Sequence, residues 1–563
     1  MTPRLRKKLF GREFYESLGS PKMILAPMVD RSEFAWRMLT RSFIDPQSPN
    51  PLLAYSPMFH SRLFKESANY RLQHFEATRP KLNSKFSTPA DGKEPQLPDS
   101  PVIPYLDGNP TIDRPLIVQF CANDPDELLH AARTVEPFCD AVDLNLGCPQ
   151  GIARKGHYGA FLQEEPELIY KLINTLHTEL SIPVTAKFRI QETKEKTLEY
   201  ARMILSAGAS FISVHGRRRD QKGHNTGLAD WSYIRYLRDN LPADTVIFAN
   251  GNILDNRDIM RCLEATGADG VMSAEGNLCD PTIFTPPPPV GSECNGSGFW
   301  RGRDGKGGYR VDFVLRRYMD IIYRYVLEVP PPERKPLCIS SNSTTNTTQP
   351  PDPTANDEPE PDADVDHEDG PPKKRRKRSK DAKPTSPNLV SMQGHLFQLL
   401  RPLISKHTNI RDALARCRGG RMGDFENIVS LVEDAVKAGI LEYEAFPERF
   451  EEEKDRDAKG DAETKELSGS KATVAQYKRP WWVCQPYVRP LPEEALQIGA
   501  MQPKKRDIIH ANKNDDVNKN RNDLVGNEED DLKTDAPTPE GVLSGSDKEN
   551  STDTAPVDKL VSG

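Results

Sequence analysis

One cysteine of this chain lies in a setting that suits chemistry. Residues 141–144 form an apolar, strand-like run that ends at Asn145, and Cys148 follows between a glycine and a proline. Arg154 and Lys155 come next, within a glycine-containing loop. The exposure of a thiol and the cations beside it govern its protonation and reactivity. The segment therefore predicts a working cysteine at the mouth of a strand, and the alternative is a small buried cysteine at a strand end.

Eight short apolar runs alternate with amphipathic stretches of helical period. The runs cover residues 22–26, 52–55, 115–120, 140–144, 182–187, 211–215, 245–249 and 270–273. The clearest helical stretches are 166–180, 196–206 and 256–266. Strands that are each followed by a helix predict an α/β fold, a (β/α)8 TIM barrel, which needs roughly 250 residues. A doubly wound sheet is the alternative, but no phosphate-binding glycine pattern follows the first run.

Chemically useful groups follow seven of the eight runs. In a barrel of this kind, chemistry takes place on the loops after the carboxyl ends of the strands. The positions are Pro27 and Met28, Gln119, Asn145 and Cys148, Lys187, His215, Asn250-Gly251-Asn252, and Ala274-Glu275-Gly276. Glycines after strands seven and eight fit a phosphate held by backbone amides. The pattern predicts a phosphate-bearing cofactor without naming it.

Composition limits what the remainder of the chain can be. Only 36% of the 563 residues are hydrophobic and 49 are prolines, so a substantial part lies outside any packed core. The net charge of −7 hides basic folded regions, because acidic residues concentrate in 351–369 and in the tail. Nine cysteines without CxxC pairs favour a reducing compartment over a zinc ribbon, and we expect no metal. No apolar run of about 18 residues occurs, so we expect no membrane span.

These shifts in composition predict the domain organisation. The predicted segments are an N-terminal extension (1–20), the barrel catalytic domain (21–284, with a polar loop at 79–113), a low-complexity insert (285–310), a helix (311–328), a disordered linker (329–389), a helical domain (390–450) and a mostly disordered tail (451–563). Within the tail, the segment 478–490 with Trp481 and Trp482 should dock on a folded surface. The residues expected to face the core of the helical domain are Leu396, Leu399, Leu400, Leu403 and Ile404.

The linker carries a basic run at Lys373–Lys380. Six successive basic residues in a segment of disordered composition are typical of a nuclear localisation signal that an import receptor reads. The chain is therefore expected in the nucleus, the cytoplasm or both. A tRNA-binding arm is the competing interpretation, although the acidic run just before it would partly screen an RNA contact.

The sequence resembles the tRNA-dihydrouridine synthases, flavin enzymes that reduce uridine in tRNA. The resemblance covers about residues 20–280 and returns at 390–443 and at the two adjacent tryptophans. The motifs that carry it include ILAPMVDRSEFAWR, VDLNLGCPQGIARKGHYGAFL, VTAKFRI, SVHGRRRDQKG, ANGNI and GVMSAEGNL. Within the family, the sequence is most similar to the eukaryotic enzymes that modify uridines 16 and 17 of the tRNA D-loop. Arg218 departs from the family pattern, which commonly has a hydroxyl there.

The resemblance implies a cofactor and residue roles. The residues implied to hold FMN are Pro27, Met28, Val29, Gln119, Lys187, His215, Asn250, Gly251, Asn252, Ala274 and Glu275, and Cys148 is implied to be catalytic. NADPH or NADH would reduce the flavin, and the helical domain would bind tRNA. The candidates for contacts with tRNA phosphates are Arg154, Lys155, Arg217, Arg218, Arg219 and Lys222.

The chemistry of uracil suggests how these groups would act. Its C5=C6 bond is conjugated to the C4 carbonyl, so hydride from the reduced flavin should add at C6 and a proton at C5. A cysteine of ordinary pKa, about 8.5, is largely a thiol at neutral pH, which makes Cys148 the general acid. Asn145 would read the base with one donor and one acceptor, and Lys187 would stabilise the anionic flavin. The base must first be splayed out of its stack.

Two other functions remain open at this point. The chain could be a flavin barrel that acts on a free pyrimidine, or a non-catalytic RNA-binding protein built on an inactive barrel. The basic loops and the helical domain argue against the first. The presence of Cys148, Lys187 and His215 argues against the second. Activity on free uridine would favour the first alternative, and a purified protein without flavin colour would favour the second.

Overall fold

The computed structural model describes residues 8–48, 50–79, 103–291, 298–338, 386–451 and 470–497. Within these ranges, eight parallel strands close into a barrel in sequential order, and the first strand pairs with the eighth. The strands are β1 Met23–Leu25, β2 Leu52–His60, β3 Leu116–Cys121, β4 Ala141–Leu146, β5 Val184–Arg189, β6 Ile212–His215, β7 Ile247–Asn250 and β8 Gly270–Ser273. The predicted (β/α)8 barrel is confirmed, and each predicted apolar run overlaps one strand.

Helices surround the barrel, and at least one follows every strand. They are α1 Gly11–Ser17, α2 Phe34–Arg41, α3 Ser61–Glu66, α4 Ala68–His74, α5 Pro125–Val135, α6 Gly151–Gly156, α7 Pro166–Glu179, α8 Lys194–Ser206, α9 Trp231–Asn240, α10 Asn256–Thr266 and α11 Glu275–Cys279. Local sequence explains their starts. For example, Asp255 caps α10, and the side chain of Asp258 accepts a hydrogen bond from the N–H of Asp255 at 3.1 Å, which completes a capping box.

The C-terminal helical region packs beside the barrel. Its helices are α12 Val311–Ile321, continued by a π-helical turn at Ile322–Val326, then α13 Pro387–Leu399, α14 Arg401–Lys406, α15 Thr408–Arg416, α16 Met422–Ala445 and α17 Glu448–Glu451. The five aliphatic residues expected in its core are all buried. His395 of α13 donates through Nε2 to Glu33 Oε1 at 2.8 Å, and its ring stacks on Trp36 at 4.0 Å. Burial lowers the pKa of His395, so this donor is a neutral imidazole.

Three predicted irregular segments contain ordered structure. The low-complexity insert includes a β-hairpin, β9 Phe299–Arg301 and β10 Gly307–Tyr309. The polar loop 79–113 buries Asp107 and Asp113 against Arg37 of α2, because the guanidinium compensates both carboxylates. The tail adds α18 Ser470–Tyr477 and α19 Pro492–Gln497 on either side of the buried Trp482. Composition alone could not reveal these elements, and the ion pairs of Arg37 and the contact of Trp482 with Val311 also depend on residues distant in sequence.

Several predicted features lie outside the described residues. They are the basic run Lys373–Lys380, the acidic run 351–369 and most of the polar loop, residues 80–102. In the described part of the chain, no helix is long and apolar enough to cross a membrane. The same part contains no group of three or more His, Cys, Asp or Glu side chains that could hold a metal ion.

Candidate active site

The loop after β4 fixes Cys148 through its backbone. The side-chain oxygen of Asn145 accepts hydrogen bonds from the N–H groups of Gly147 at 3.1 Å and Cys148 at 2.9 Å. On the other side, the N–H of Ala160 donates to the Cys148 carbonyl at 3.1 Å. Gly159 has φ +68°, and a Cβ there would lie 2.9 Å from both the Cβ and the carbonyl oxygen of Cys148. A glycine is therefore required where the loop crosses the cysteine.

Cys148 is a buried thiol rather than an exposed thiolate. Its side chain packs against Cys121, Ala153 and Tyr158, and the residue is 9% exposed. Burial raises its pKa above the ordinary value, and the positive charges of Arg189, Lys187 and Lys222 offset only part of that shift. The sequence suggested cations at Arg154 and Lys155, but these two lie exposed on α6. The thiol is consequently protonated at neutral pH and available as an acid.

A chain of hydrogen bonds inside the barrel holds Asn145. Thr185 Oγ1 donates to Asp143 Oδ1 at 2.6 Å, and Gln119 Nε2 donates to Asp143 Oδ2 at 2.7 Å. Asn145 Nδ2 then donates to Gln119 Oε1 at 2.8 Å. Burial raises the pKa of the Asp143 carboxyl to about 6, so it remains largely ionised at pH 7. This chain links three strands to the loop that carries Cys148.

The hydrogen-bond chain engages two side chains that have predicted roles at the site. Asn145 was predicted to offer the substrate one donor and one acceptor, but its acceptor oxygen already binds two backbone N–H groups of the loop. The amide of Gln119 is likewise engaged at both ends. Asp143, which organises them, was missed because it lies within a strand rather than at its end. The available signal was a lone carboxylate in an apolar run.

Lys187 and His215 lie at the ends of β5 and β6, where their protonation states differ. Burial, reinforced by Arg189, lowers the pKa of Lys187 to about 8, whereas Asp143 acts in the opposite direction. Burial holds the pKa of His215 well below its usual range, so the imidazole is neutral. Its Nε2 accepts a hydrogen bond from Arg217 Nη1 at 3.1 Å, which assigns the ring proton to Nδ1.

Arg217 was predicted to contact tRNA but belongs to the cluster around His215. Besides that ring, it donates to Asn252 Oδ1 at 2.9 Å and to the carbonyl of Gly227 at 3.1 Å. Arg219 pairs with Glu164 at 2.6 Å, Lys222 donates to the carbonyl of Pro149 at 2.7 Å, and Arg218 pairs with Asp220. Arg219 and Lys222 therefore stabilise the loops around Cys148.

The loops after β7 and β8 form the other half of the site. Gly251 has φ +111°, and a Cβ there would lie 2.6 Å from Ala229 Cβ. Asn250 donates through Nδ2 to the Met272 carbonyl at 3.0 Å, whereas its buried Oδ1 has no hydrogen-bond partner among the described residues. Ala274 is buried, and Glu275 pairs with Arg489 from the C-terminal segment.

A cavity of about 310 Å³ joins many of these groups. The predicted cofactor residues that line it are His215, Asn250, Gly251, Asn252, Ala274 and Glu275. Gln150 and Arg189, near the Cys148 loop, also line it, and so do Tyr487 and Arg489 of the C-terminal segment. The cavity lining does not include Gln119, Lys187 or residues 27–29; of these, Pro27 and Met28 are buried and Val29 is 52% exposed.

A closed barrel with a cavity and a buried thiol at the carboxyl ends of its strands has the architecture of a barrel enzyme. The family model described as dihydrouridine synthase (Dus) matches residues 24–295. A relative from Schizosaccharomyces pombe, named tRNA-dihydrouridine(16/17) synthase (NAD(P)+), is 43% identical over 86% of this chain and 92% of its own length. A relative of the same name from Saccharomyces cerevisiae is 40% identical over 86% and 88%.

A more distant relative from Homo sapiens, named tRNA-dihydrouridine(20a/20b) synthase-like, is 30% identical over 47% of this chain and 71% of its own length. The two yeast relatives named for positions 16 and 17 thus have higher identity and longer coverage than this human relative. The chain belongs to the dihydrouridine synthase family, which confirms the resemblance seen in its sequence.

The crossing of Gly159 over Cys148 yields a testable prediction. Gly159→Ala should destabilise the protein by about 1–3 kcal/mol, because it combines a positive φ with a backbone clash. It should also raise the rate at which iodoacetamide alkylates Cys148, since the loop must move. Gly151→Ala is the matched control, because a Cβ there meets no atom within 4 Å. Denaturant unfolding and peptide mapping measure both effects, and equal behaviour of the two variants would contradict the assignment.

Proposed function

We propose that this protein is an FMN-dependent enzyme that reduces uridines 16 and 17 of the tRNA D-loop to 5,6-dihydrouridine, with NADPH or NADH as reductant. Membership of the dihydrouridine synthase family and the names of the two yeast relatives support this substrate. The observation that carries the proposal is a buried Cys148 thiol whose loop is held by Asn145, at the carboxyl ends of the strands of a barrel that carries a cavity. A free pyrimidine as substrate would leave the C-terminal helical region without a role.

The residues of the cavity fit FMN. Asn250 Oδ1 is a buried acceptor in need of a donor, which a ribityl hydroxyl offers. Gly251 lets the loop after β7 pack closely against Ala229 and His215, and Arg217 and Lys187 supply positive charge for the phosphate and the flavin ring. The groups proposed to hold FMN are Pro27, Met28, Lys187, His215, Asn250, Gly251, Asn252 and Ala274. FMN, when bound, supplies the hydride that uracil C6 receives.

Cys148 donates the proton that C5 requires. Burial keeps the thiol protonated until the substrate arrives. Once the proton has left, the positive charges of Arg189, Lys187 and Lys222 stabilise the thiolate, since these same charges lower its pKa. Asn145 holds the loop in place and retains one N–H for the base. Arg154 and Lys155, exposed on α6 beside this loop, attract the phosphates of a tRNA whose base is splayed out.

The proton-donor role predicts a separable defect. Cys148→Ala should keep bound FMN and its reduction by NADPH, yet lose dihydrouridine formation by at least about a hundredfold, because only the acid is removed. Cys338→Ala, which removes a thiol far along the chain from this loop, is the control.

Absorbance spectra follow the flavin, and sequencing-based mapping follows positions 16 and 17 in tRNA from cells lacking the protein and complemented with each variant. Wild-type single-turnover rates in Cys148→Ala would refute the assignment. Unchanged dihydrouridine at both positions in cells without the protein would refute the proposed substrate.

The pKa of Lys187 predicts how FMN binding depends on pH. Lys187 is an ammonium below about pH 8 and neutral above it, and the anionic cofactor favours the charged form. Binding of FMN to the apoprotein should therefore weaken about tenfold between pH 7 and pH 9. His215 stays neutral throughout this window and contributes nothing.

Quenching of FMN fluorescence measures the dissociation constant at each pH. Lys187→Met should bind more weakly and with no pH dependence in this range. Lys196→Met, on the exposed face of α8, should behave as the wild type. An equal pH dependence in Lys187→Met would show that another group is responsible.

We further propose that Lys373–Lys380 directs the protein to the nucleus through an import receptor. Six successive basic residues support this role. Replacing them with alanine should move a fluorescent fusion to the cytoplasm while the purified protein keeps its affinity for tRNA. Nuclear fluorescence that persists together with a large loss of tRNA binding would instead make the run part of substrate recognition.

A further inference from the structure

The C-terminal segment 470–497 forms one wall of the cavity. Tyr487, Val488 and Arg489 line it, with Ser470 and Thr473 of α18 beside them. The loops after β6, β7 and β8 supply other lining residues, among them His215, Asn250 and Glu275. The family match ends at residue 295, so this wall lies more than a hundred residues beyond it. The cavity is therefore built from the barrel together with a segment outside the family region.

Contacts on three sides fix this C-terminal segment in place. Tyr477 donates to Asp258 Oδ1 of α10 at 2.7 Å. The carbonyl of Trp482 accepts from the N–H of Val311 at 2.9 Å, which ties the segment to α12. The guanidinium of Arg401, from α14, lies 4.0 Å from the ring centre of Tyr487. The segment is thus a built part of the site, held by the barrel and the helical region alike.

Arg489 forms an ion pair with Glu275, which is the only acidic residue among those implied to hold the cofactor. Its Nη2 and Nε donate to the two carboxylate oxygens of Glu275 at 2.6 Å and 3.1 Å. Glu275 begins α11 directly after β8 and lines the cavity. Both side chains are about one-quarter exposed, so water screens the carboxylate only in part. An unpaired carboxylate here would repel a phosphate.

Glu275 also acts on Arg217. Burial lowers the pKa of Arg217 to about 10, whereas the charge of Glu275 raises it and the charge of Arg489 lowers it. Arg217 uses three of its N–H groups to hold His215, Asn252 and Gly227. Without Arg489, the negative charge of Glu275 would act on Arg217 unopposed and offset part of the positive charge at that side of the cavity. The pair with Arg489 therefore preserves the charge that an anion needs.

We propose that Arg489 is a positioning residue of the cofactor site, which neutralises Glu275 so that the cavity accepts the phosphate of FMN. The inference rests on the proposed function for the identity of the cofactor. It assigns a role in cofactor retention to the C-terminal segment, which the barrel alone does not supply. Arg489 acts through Glu275, and this distinguishes it from a direct phosphate ligand.

Binding of FMN to the apoprotein tests the proposal, measured by fluorescence quenching together with the thermal unfolding of each apoprotein. Arg489→Met should raise the dissociation constant of FMN about tenfold or more, because a carboxylate is left facing the phosphate. The double variant Arg489→Met with Glu275→Gln should return to within about threefold of the wild type. Arg411→Met is the charge-loss control, since Arg411 is exposed on α15 and pairs with Asp412.

Two results would overturn the inference. Wild-type affinity in Arg489→Met would show that the ion pair does not matter for the cofactor. A double variant as weak as Arg489→Met would make Arg489 a direct ligand of the phosphate. If Arg489→Met does not fold, Glu275→Gln tests the proposal by itself. This variant should bind FMN at least as tightly as the wild type. Tenfold weaker binding would contradict the role of Arg489 in neutralising Glu275. A wild-type apoprotein that binds no FMN would refute the proposed function itself.

Discussion

The buried carboxylate of Asp143 is the constraint on which the site depends. It sits inside the barrel, where an ion without partners would be strongly unfavourable, and Thr185 and Gln119 satisfy it from the two neighbouring strands. Gln119 in turn orients Asn145, whose oxygen closes the loop around Cys148. The position of the thiol therefore depends on strand register, because Gln119, Asp143 and Thr185 are register partners on β3, β4 and β5.

Burial, more than any single charge pair, sets the protonation states around the cavity. It raises the pKa of Cys148 and lowers those of Lys187 and His215. An acid, a cation of reduced pKa and a neutral imidazole are thus placed on consecutive strands without any metal ligand set among the described residues. Pairs of titratable groups with opposed shifts are typical of sites that transfer protons near neutral pH.

The sequence predicted what depends on local pattern. Alternating apolar runs located all eight strands, and strand ends located His215 and Asn250 because a parallel barrel brings every carboxyl end to one rim. The particular contacts that side chains make in the folded structure could not be predicted. Arg217 was assigned to tRNA because a basic run resembles a solvated surface, yet the structure joins it to His215. Arg489 was missed because its partner Glu275 is distant in the chain. The β9–β10 hairpin, whose strands are close in sequence, was missed because the insert was taken as low-complexity. Asp143 was missed because no rule on strand ends applies within a strand.

One of these distant pairs has a consequence for the stage of synthesis at which the cavity can be completed. Glu275 and Arg489 are 214 residues apart. At about 5–20 residues per second, roughly 10–40 s of translation separate the emergence of β8 from that of its partner segment. A nascent barrel can close in that interval with one wall of its cavity still missing. The cavity is therefore complete only after residues 470–497 have been synthesised and have packed against the barrel.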